Sequence, residues 1–381
     1  MVEPRQFITS RRLTASDIAA GQALAWDVTD SGGAVVWSKG QVIEDAIALA
    51  ALLDSGLFTA AAAATPTAPA KKTPQISVLR VLNTAQKRLD TLLRNIADTP
   101  DVSGKVMEIA ALVHSATTVS ANIAHACVLL NQRAGDYSTR HAVDTAVVAL
   151  LVARRLKKTS DEMKALVAAA LTMNLGMQQQ DALQDRTDAL APKEIEQIRQ
   201  HPERSVALLK QAGVDNALWL ECVAMHHENG SDSGYPRGHA VGEIAQNAYL
   251  LSVADQYCAA IVQRKYRRTL LPHAALREIL ISDGKPRDPL VAAGFIKEIG
   301  NFPAGTFVRL HTDEIGVVIK RGAHAAMPLV QALLNPRGVA LDAPILRDTS
   351  KPLFGIREAI PNDGKLLRFS MQQLWGSAAS L

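Results

Sequence analysis

Between Gln75 and about Gly300 the apolar residues recur at helical spacing almost without interruption. A chain patterned in this way has to bury its apolar stripes against one another, which makes a helical bundle the expected core. Val78, Leu79, Val81, Leu82, Leu89, Leu92 and Leu93 define one long amphipathic helix, and further helices are expected over 121–130, 141–156, 161–175 and 192–212. The flanks differ in texture. Residues 1–58 hold two strand-like runs, 23–27 and 34–37, around the Ser31-Gly32-Gly33 turn, then a helical pattern over 43–53. That combination predicts a small α+β domain. Residues 59–75, rich in Ala, Thr and Pro without periodicity, read as a linker. The helical domain then occupies 76–300. Beyond it, 301–381 reads as a small β-rich extension: 307–310 and 315–319 flank a hairpin turn, and 327–334 and 337–341 add strands. This extension is expected to stay separate from the helical core.

Composition narrows the class. Ala and Leu are abundant while aromatic residues make up 4% of the chain, a balance that favours helix. The formal charge of +4 comes from 41 basic and 37 acidic residues spread along the chain, with no basic tail or face of the kind that binds nucleic acid. Cys127, Cys222 and Cys258 show no paired spacing, so a reducing compartment, the cytoplasm, is expected. The longest apolar run, 146–153, ends in Arg154-Arg155 and is too short to span a bilayer.

The residues that could carry chemistry begin with His226-His227-Glu228, followed by Ser233-Gly234-Tyr235-Pro236. Neighbouring side chains on a helix diverge by about 100°. Two adjacent histidines therefore converge on one point only near a helix end, and Asn229-Gly230 supplies one. His141 and His201 lie at helical positions upstream, and Asp255 ends the apolar run 250–254. Singly, each reads as a cap, a salt-bridge partner or a satisfied polar residue. Together His141, His201, His226, His227 and Asp255 form a set of imidazoles and a carboxylate suited to metals.

These residues carry a resemblance. The segment HHENGSDSGYPRG resembles the HHE-x-x-D-G-x-G-Y-P signature of the HD-GYP family, and the similarity extends over roughly residues 105–325. It runs through Tyr137–Arg140 with His141, through His201-Pro202, through Val253-Ala254-Asp255 and through Arg264–Arg267. The resemblance implies an HD-domain-like helical bundle that binds two or three metal ions and hydrolyses cyclic di-GMP. It assigns one metal to His141, Asp255 and an HD pair, and a second to His201, His226 and His227, with the Asp of the pair bridging them. It also implies that Arg264, Arg267 and Tyr235 contact the ligand.

The sequence departs from the family at the HD pair itself. The expected HD-x-G-K stretch reads Met173-Asn174-Leu175-Gly176-Met177, placing Met173 at the His position, Asn174 at the bridging Asp and Met177 at the Lys. A thioether is a poor ligand for a hard divalent cation, and a neutral amide cannot bridge two cations as an anion. Ser231-Asp232, Tyr249 and Cys258 replace further motif residues. Two functions are weighed, beside a purely structural reading in which water and packing fill the cluster. One is a non-catalytic module of bacterial signalling that responds to cyclic di-GMP, to a protein partner of the pathway, or to both. The other is a residual phosphodiesterase acting through a partial site. The expected metal content is one divalent ion of the Fe, Mn or Zn type, or none.

Overall fold

The computed structural model describes residues 10–12, 24, 27–29, 34–42, 58–60, 76–131, 135–180, 191–229, 234–262, 269–282, 285, 286, 288–322, 324, 326–361 and 369–381. The chain divides into two compact units, Met1–Pro74 and Gln75–Leu381.

In the first unit, strands β1 (Ser10–Arg12), β2 (Val28–Thr29), β3 (Val35–Trp37) and β4 (Phe58–Ala60) form an antiparallel sheet in the order β1-β4-β2-β3. Most of the first expected strand, over 23–27, lies outside the described residues; the Asp27 carboxylate accepts the Lys39 amide at 2.7 Å. Leu24 exchanges backbone hydrogen bonds with Gly40 and Gln41. The helix expected over 43–53 lies outside the described residues.

The second unit is mainly α. Its first helices are α1 (Val78–Arg94), α2 (Val102–Val119), α3 (Ala121–Leu130), α4 (Tyr137–Arg155) and α5 (Ser160–Thr172). There follow α6 (Pro192–Arg199), α7 (His201–Gln211), α8 (Ala217–Met225), α9 (Gln246–Ile261), α10 (Pro272–Leu280) and α11 (Pro289–Glu298). Side-chain caps start many of them: Ser77, Asp101, Ser120, Asn216 and Asp288 accept amides of the first turn, and Thr159 with Glu162 completes a reciprocal pair at α5. Helix α4 is buried along most of its length, as expected of a helix apolar on every side. Its buried polar residues, Thr139, His141, Asp144 and Thr145, gather in the N-terminal half.

Three helix boundaries differ from the periodicity. The helix expected over 192–212 is broken between Arg199 and His201, because Pro202 lacks an amide hydrogen and disfavours helical geometry in the residue before it. Helix α4 starts at Tyr137, one turn before His141. Helix α5 stops at Thr172, and the chain passes into a tighter turn over Leu175–Gln180. No helix among the described residues is long and apolar enough to cross a membrane.

Strands β5 (Ile281–Ser282) and β6 (Lys285–Pro286) pair with each other. Strands β7 (Phe307–Leu310), β8 (Ile315–Lys320), β9 (Leu329–Leu334), β10 (Ala340–Asp348) and β11 (Ile356–Ile360) make an antiparallel sheet in the order β10-β9-β8-β7-β11. The last strand expected from the sequence, over 337–341, begins later because 335–338 is a turn: the Asn335 side chain accepts the amides of Arg337 and Val339, and Gly338 has φ of 76°. The sheet does not stand apart from the helices, contrary to expectation. His125 on α3 donates from Nδ1 to the Ala304 carbonyl at 3.2 Å. Glu298 at the end of α11 pairs with Arg155 and with Arg321. The Trp375 indole, on α12 (Met371–Trp375), donates to the Ile319 carbonyl at 3.0 Å. The closest approach is at Gly305, where an added Cβ would sit 3.0 Å from Ala126 Cα and 3.1 Å from Leu129 Cβ.

Gly305 and Gly338 together test this docking. Both have positive φ, 99° and 76°, but a Cβ at Gly338 meets nothing within 4 Å. Gly338→Ala should therefore cost only the conformational penalty of about 1–2 kcal/mol. Gly305→Ala should cost about 1–3 kcal/mol more, because the helix must shift to admit the methyl group. Equal losses in urea unfolding of the two variants would mean that the sheet does not press on α3 at Gly305.

Candidate functional site

Five segments of the second unit meet at one cavity of about 400 Å³. His141 comes from the second turn of α4, His201 from the start of α7, His226 and His227 from the end of α8, and Asp255 from the middle of α9. The fifth segment is the turn that follows α5. The adjacent histidines converge because α8 ends at Met225 and His226 is its C-terminal cap. Beyond them, buried Glu228 accepts the amides of Arg237 at 2.8 Å and His239 at 2.9 Å, which fixes the returning loop. Gly234 is needed for this closure: a Cβ there would lie 3.0 Å from Asn229 N and 3.1 Å from Glu228 Oε2. Tyr235 then stacks on His227 with ring centroids 4.6 Å apart, and the Arg199 guanidinium lies 5.5 Å from the Tyr235 ring centre.

Two of the three histidines are oriented by backbone carbonyls. His201 Nδ1 is 2.6 Å from the Ile198 carbonyl, and His226 Nδ1 is 2.7 Å from the Val223 carbonyl. A carbonyl only accepts, so both Nδ1 atoms carry the proton and both Nε2 atoms present bare lone pairs. These Nε2 atoms face each other at 3.1 Å. One ring nitrogen from each of His201, His226 and His227 falls within 4.8 Å of the others. Burial pushes all three away from the charged form: His201 to about 3, with the His226 charge adding to the effect, and His226 and His227 also downward. Facing lone pairs without a proton repel, and a shared cation removes that repulsion. Imidazoles held by carbonyls behind them are the usual donor set for such an ion. The residues present fit a divalent metal at this trio.

The other half is closed on itself. His141 Nε2 donates to Asp255 Oδ1 at 2.6 Å, and Tyr137 stacks over the His141 ring at 5.4 Å. Burial opposes the Asp255 charge, but the His141 hydrogen bond and the surrounding imidazoles outweigh it and hold the carboxyl below its usual range. Next to this pair the Met173–Gly176 turn is clamped to α7. Ser205 Oγ donates to the Met173 carbonyl at 2.7 Å and accepts the Gly176 amide at 2.9 Å. At Gly176 a Cβ would come within 2.6 Å of the His201 carbonyl, so the turn sits directly against the first turn of that helix. Met173 is fully buried in the apolar core and is not part of the cavity wall. Asn174 and Met177 do line the cavity, with His141, His201, His227, Tyr235 and Asp255. His226 lies behind the wall and is fully buried.

Arg264, Arg267 and Ser231-Asp232 lie outside the described residues. Tyr249 and Cys258, read as departures from the motif, pack in the core of α9 and do not line the cavity. The sequence reading missed the residues at the cavity mouth, Asp90, Arg94 and Asp136. Asp136 was findable as an acidic residue one position before a helix. Ser205 was not, since a serine inside a helix has no pattern of its own.

Residues 118–289 match the HD domain family model. The cyclic di-GMP phosphodiesterase PA4108 of Pseudomonas aeruginosa is 27% identical over 254 residues, covering 65% of this chain and 59% of that protein. The cyclic di-GMP phosphodiesterase PdeB of Borreliella burgdorferi is 22% identical over 185 residues, 48% of each chain. This chain thus spans 59% and 48% of the length of these two relatives. A solved HDG"Y"P protein of Bdellovibrio bacteriovorus, Bd1817, aligns with a TM-score of 0.49 at 14% identity, covering 76% of this chain and 99% of the other. The matched HD domain, these relatives and the His226-His227-Glu228 to Gly234-Tyr235-Pro236 signature, which brings His227 and Tyr235 to the cavity, make this chain similar to the HD-GYP proteins.

Proposed function

We propose that this chain is a degenerate HD-GYP signalling module, impaired as a phosphodiesterase, that responds to cyclic di-GMP or to a protein partner of the same pathway. The observation that carries this reading is the turn after α5. It is held at the cavity by Ser205, yet it offers a thioether buried in the core and a neutral amide where the family resemblance calls for a ligand and a bridging anion. Cyclic di-GMP enters the proposal through the relatives, which are named as phosphodiesterases of that molecule.

His201, His226 and His227 would hold one divalent ion, which when bound supplies Lewis-acid polarisation of a phosphoryl oxygen. Asn174 offers an amide to the cavity, which can hydrogen-bond a phosphate or a water but adds no negative charge. His141 Nε2 and Asp255 are joined by a hydrogen bond, while the buried His141 Nδ1 has no partner among the described residues. The histidine trio also favours a second reading, a slow phosphodiesterase working through this partial site. Turnover of cyclic di-GMP by the unmodified protein would decide for it.

Purified protein should carry no more than one Mn, Fe or Zn per chain. At a metal concentration of 100 times Kd the folded state should gain about 2.7 kcal/mol. His226→Gln should abolish that gain in melting temperature. Two ions per chain by elemental analysis would contradict the partial site.

Restoring the pair tests the lesion. Asn174→Asp keeps the side-chain shape. Met173→His puts a polar ring into the core and should destabilise the metal-free protein by about 1–3 kcal/mol if the ring finds no partner. The double variant should regain stability in manganese more strongly than the parent does. A parent protein that already hydrolyses cyclic di-GMP as fast as the double variant would show that Met173 and Asn174 are not the lesion.

A further inference from the structure

The mouth of the cavity carries a charge arrangement that the metal chemistry does not use. Arg94, the last residue of α1, is forked between two carboxylates. Its Nε is 2.9 Å from Asp90 Oδ1, one turn back on the same helix, and its terminal nitrogen pairs with Asp136 Oδ2. All three side chains are solvent-accessible and all three line the cavity. Two carboxylates therefore stand against one guanidinium at the entrance, an arrangement that opposes a polyanion as long as both remain there.

Asp136 has an alternative. It is the N-terminal cap of α4, with extended backbone at φ −71° and ψ 149°, yet its side chain makes no capping hydrogen bond. At α2, α3, α8 and α11 the equivalent Asp, Ser or Asn does accept a first-turn amide. A carboxylate at that position is among the best caps known. Asp136 is instead drawn outward by Arg94. Exposed ion pairs are weak and readily exchanged, because solvent screens them and ordering two long side chains opposes them. If the guanidinium leaves, the Asp136 carboxylate is at the position from which a cap accepts a first-turn amide of its own helix, and its negative charge can turn from the entrance to the helix N-terminus.

We propose that Arg94 and Asp136 form a charged latch at the mouth of the cavity: an anionic dinucleotide binds by taking the Arg94 guanidinium from Asp136, whose carboxylate then caps α4. Arg94 is thereby the residue that selects for a phosphate-bearing ligand, through the forked donor geometry that suits phosphate oxygens. The latch also joins α1, the first helix of the second unit, to α4, the helix that carries His141. The proposal rests on the reading that cyclic di-GMP is the ligand of this site.

The test is calorimetric titration of the full chain with cyclic di-GMP, for the parent, Arg94→Gln and Asp136→Asn. Arg94→Gln should weaken binding by about tenfold or more and flatten its dependence on salt, since one phosphate contact is lost. Asp136→Asn keeps a good capping residue but cannot hold the guanidinium as an ion pair, so it should tighten binding severalfold. Opposite signs for the two variants are the mark of a latch. A pair with a merely structural role would make both substitutions weaken binding or leave it unchanged, and either result overturns the proposal. If the parent itself shows no saturable binding of cyclic di-GMP, the ligand reading fails and the latch fails with it. If the parent binds and the variants do not diverge, the latch alone fails.

Discussion

Two backbone carbonyls decide what this site can do. Ile198 and Val223, each three residues before a histidine, take the Nδ1 protons of His201 and His226 and leave both Nε2 lone pairs aimed at the same point. The carbonyls are available because each histidine sits at a helix junction. Pro202 forces the break before α7, and α8 runs out at Met225. The donor set therefore arises from helix ends, where carbonyls and rings lie within reach of one another, and it is stabilised only when something positive joins the rings.

On the opposite wall of the cavity an imidazole and a carboxylate meet directly. A buried carboxylate without a partner is costly, and Asp255 escapes the cost through a direct hydrogen bond from His141. This bond uses the Nε2 atom that a metal would need. With a carboxylate at position 174, the cavity lining would hold a second anion besides Asp255, which nearby cations would have to compensate. Asn174 removes that demand, and Met173 fills the adjoining core without asking for a partner. The two substitutions are thus physically coherent: together they convert one half of the site from a charge problem into packing and hydrogen bonding.

Much of this was legible in the sequence, for identifiable reasons. The helical period between Gln75 and Gly300 reports burial directly, so the bundle was readable, and adjacent histidines followed by Asn229-Gly230 required a helix end. The break at His201 was also written, in the proline after it, but the apolar repeat over 192–212 continues in phase across the junction and hides it. The turn at 335–338 depended on an asparagine side chain satisfying two amides, which no periodicity records. Least legible were contacts between distant positions: Ser205 reaching the Met173 turn, and Arg94 reaching Asp136 across 42 residues. Such pairs follow from the packing of helices and have no local signature.

The persistence of three histidines beside a missing bridge does not argue for catalysis. An ion that binds only the folded chain stabilises it by mass action, whatever chemistry it performs. Here α7 and α8 each present one bare nitrogen to the other, so a shared cation would tie the two helices together and order the Tyr235 loop packed on His227. Removing any one ring would leave the remaining lone pairs buried without a partner, a cost borne by the fold. A histidine trio is therefore expected to be held in place by stability alone, while the bridging position, whose carboxylate is costly to bury without cations, is free to lose its charge. On the proposed reading, an intact nitrogen half beside an altered carboxylate half is the asymmetry that those two energies would produce.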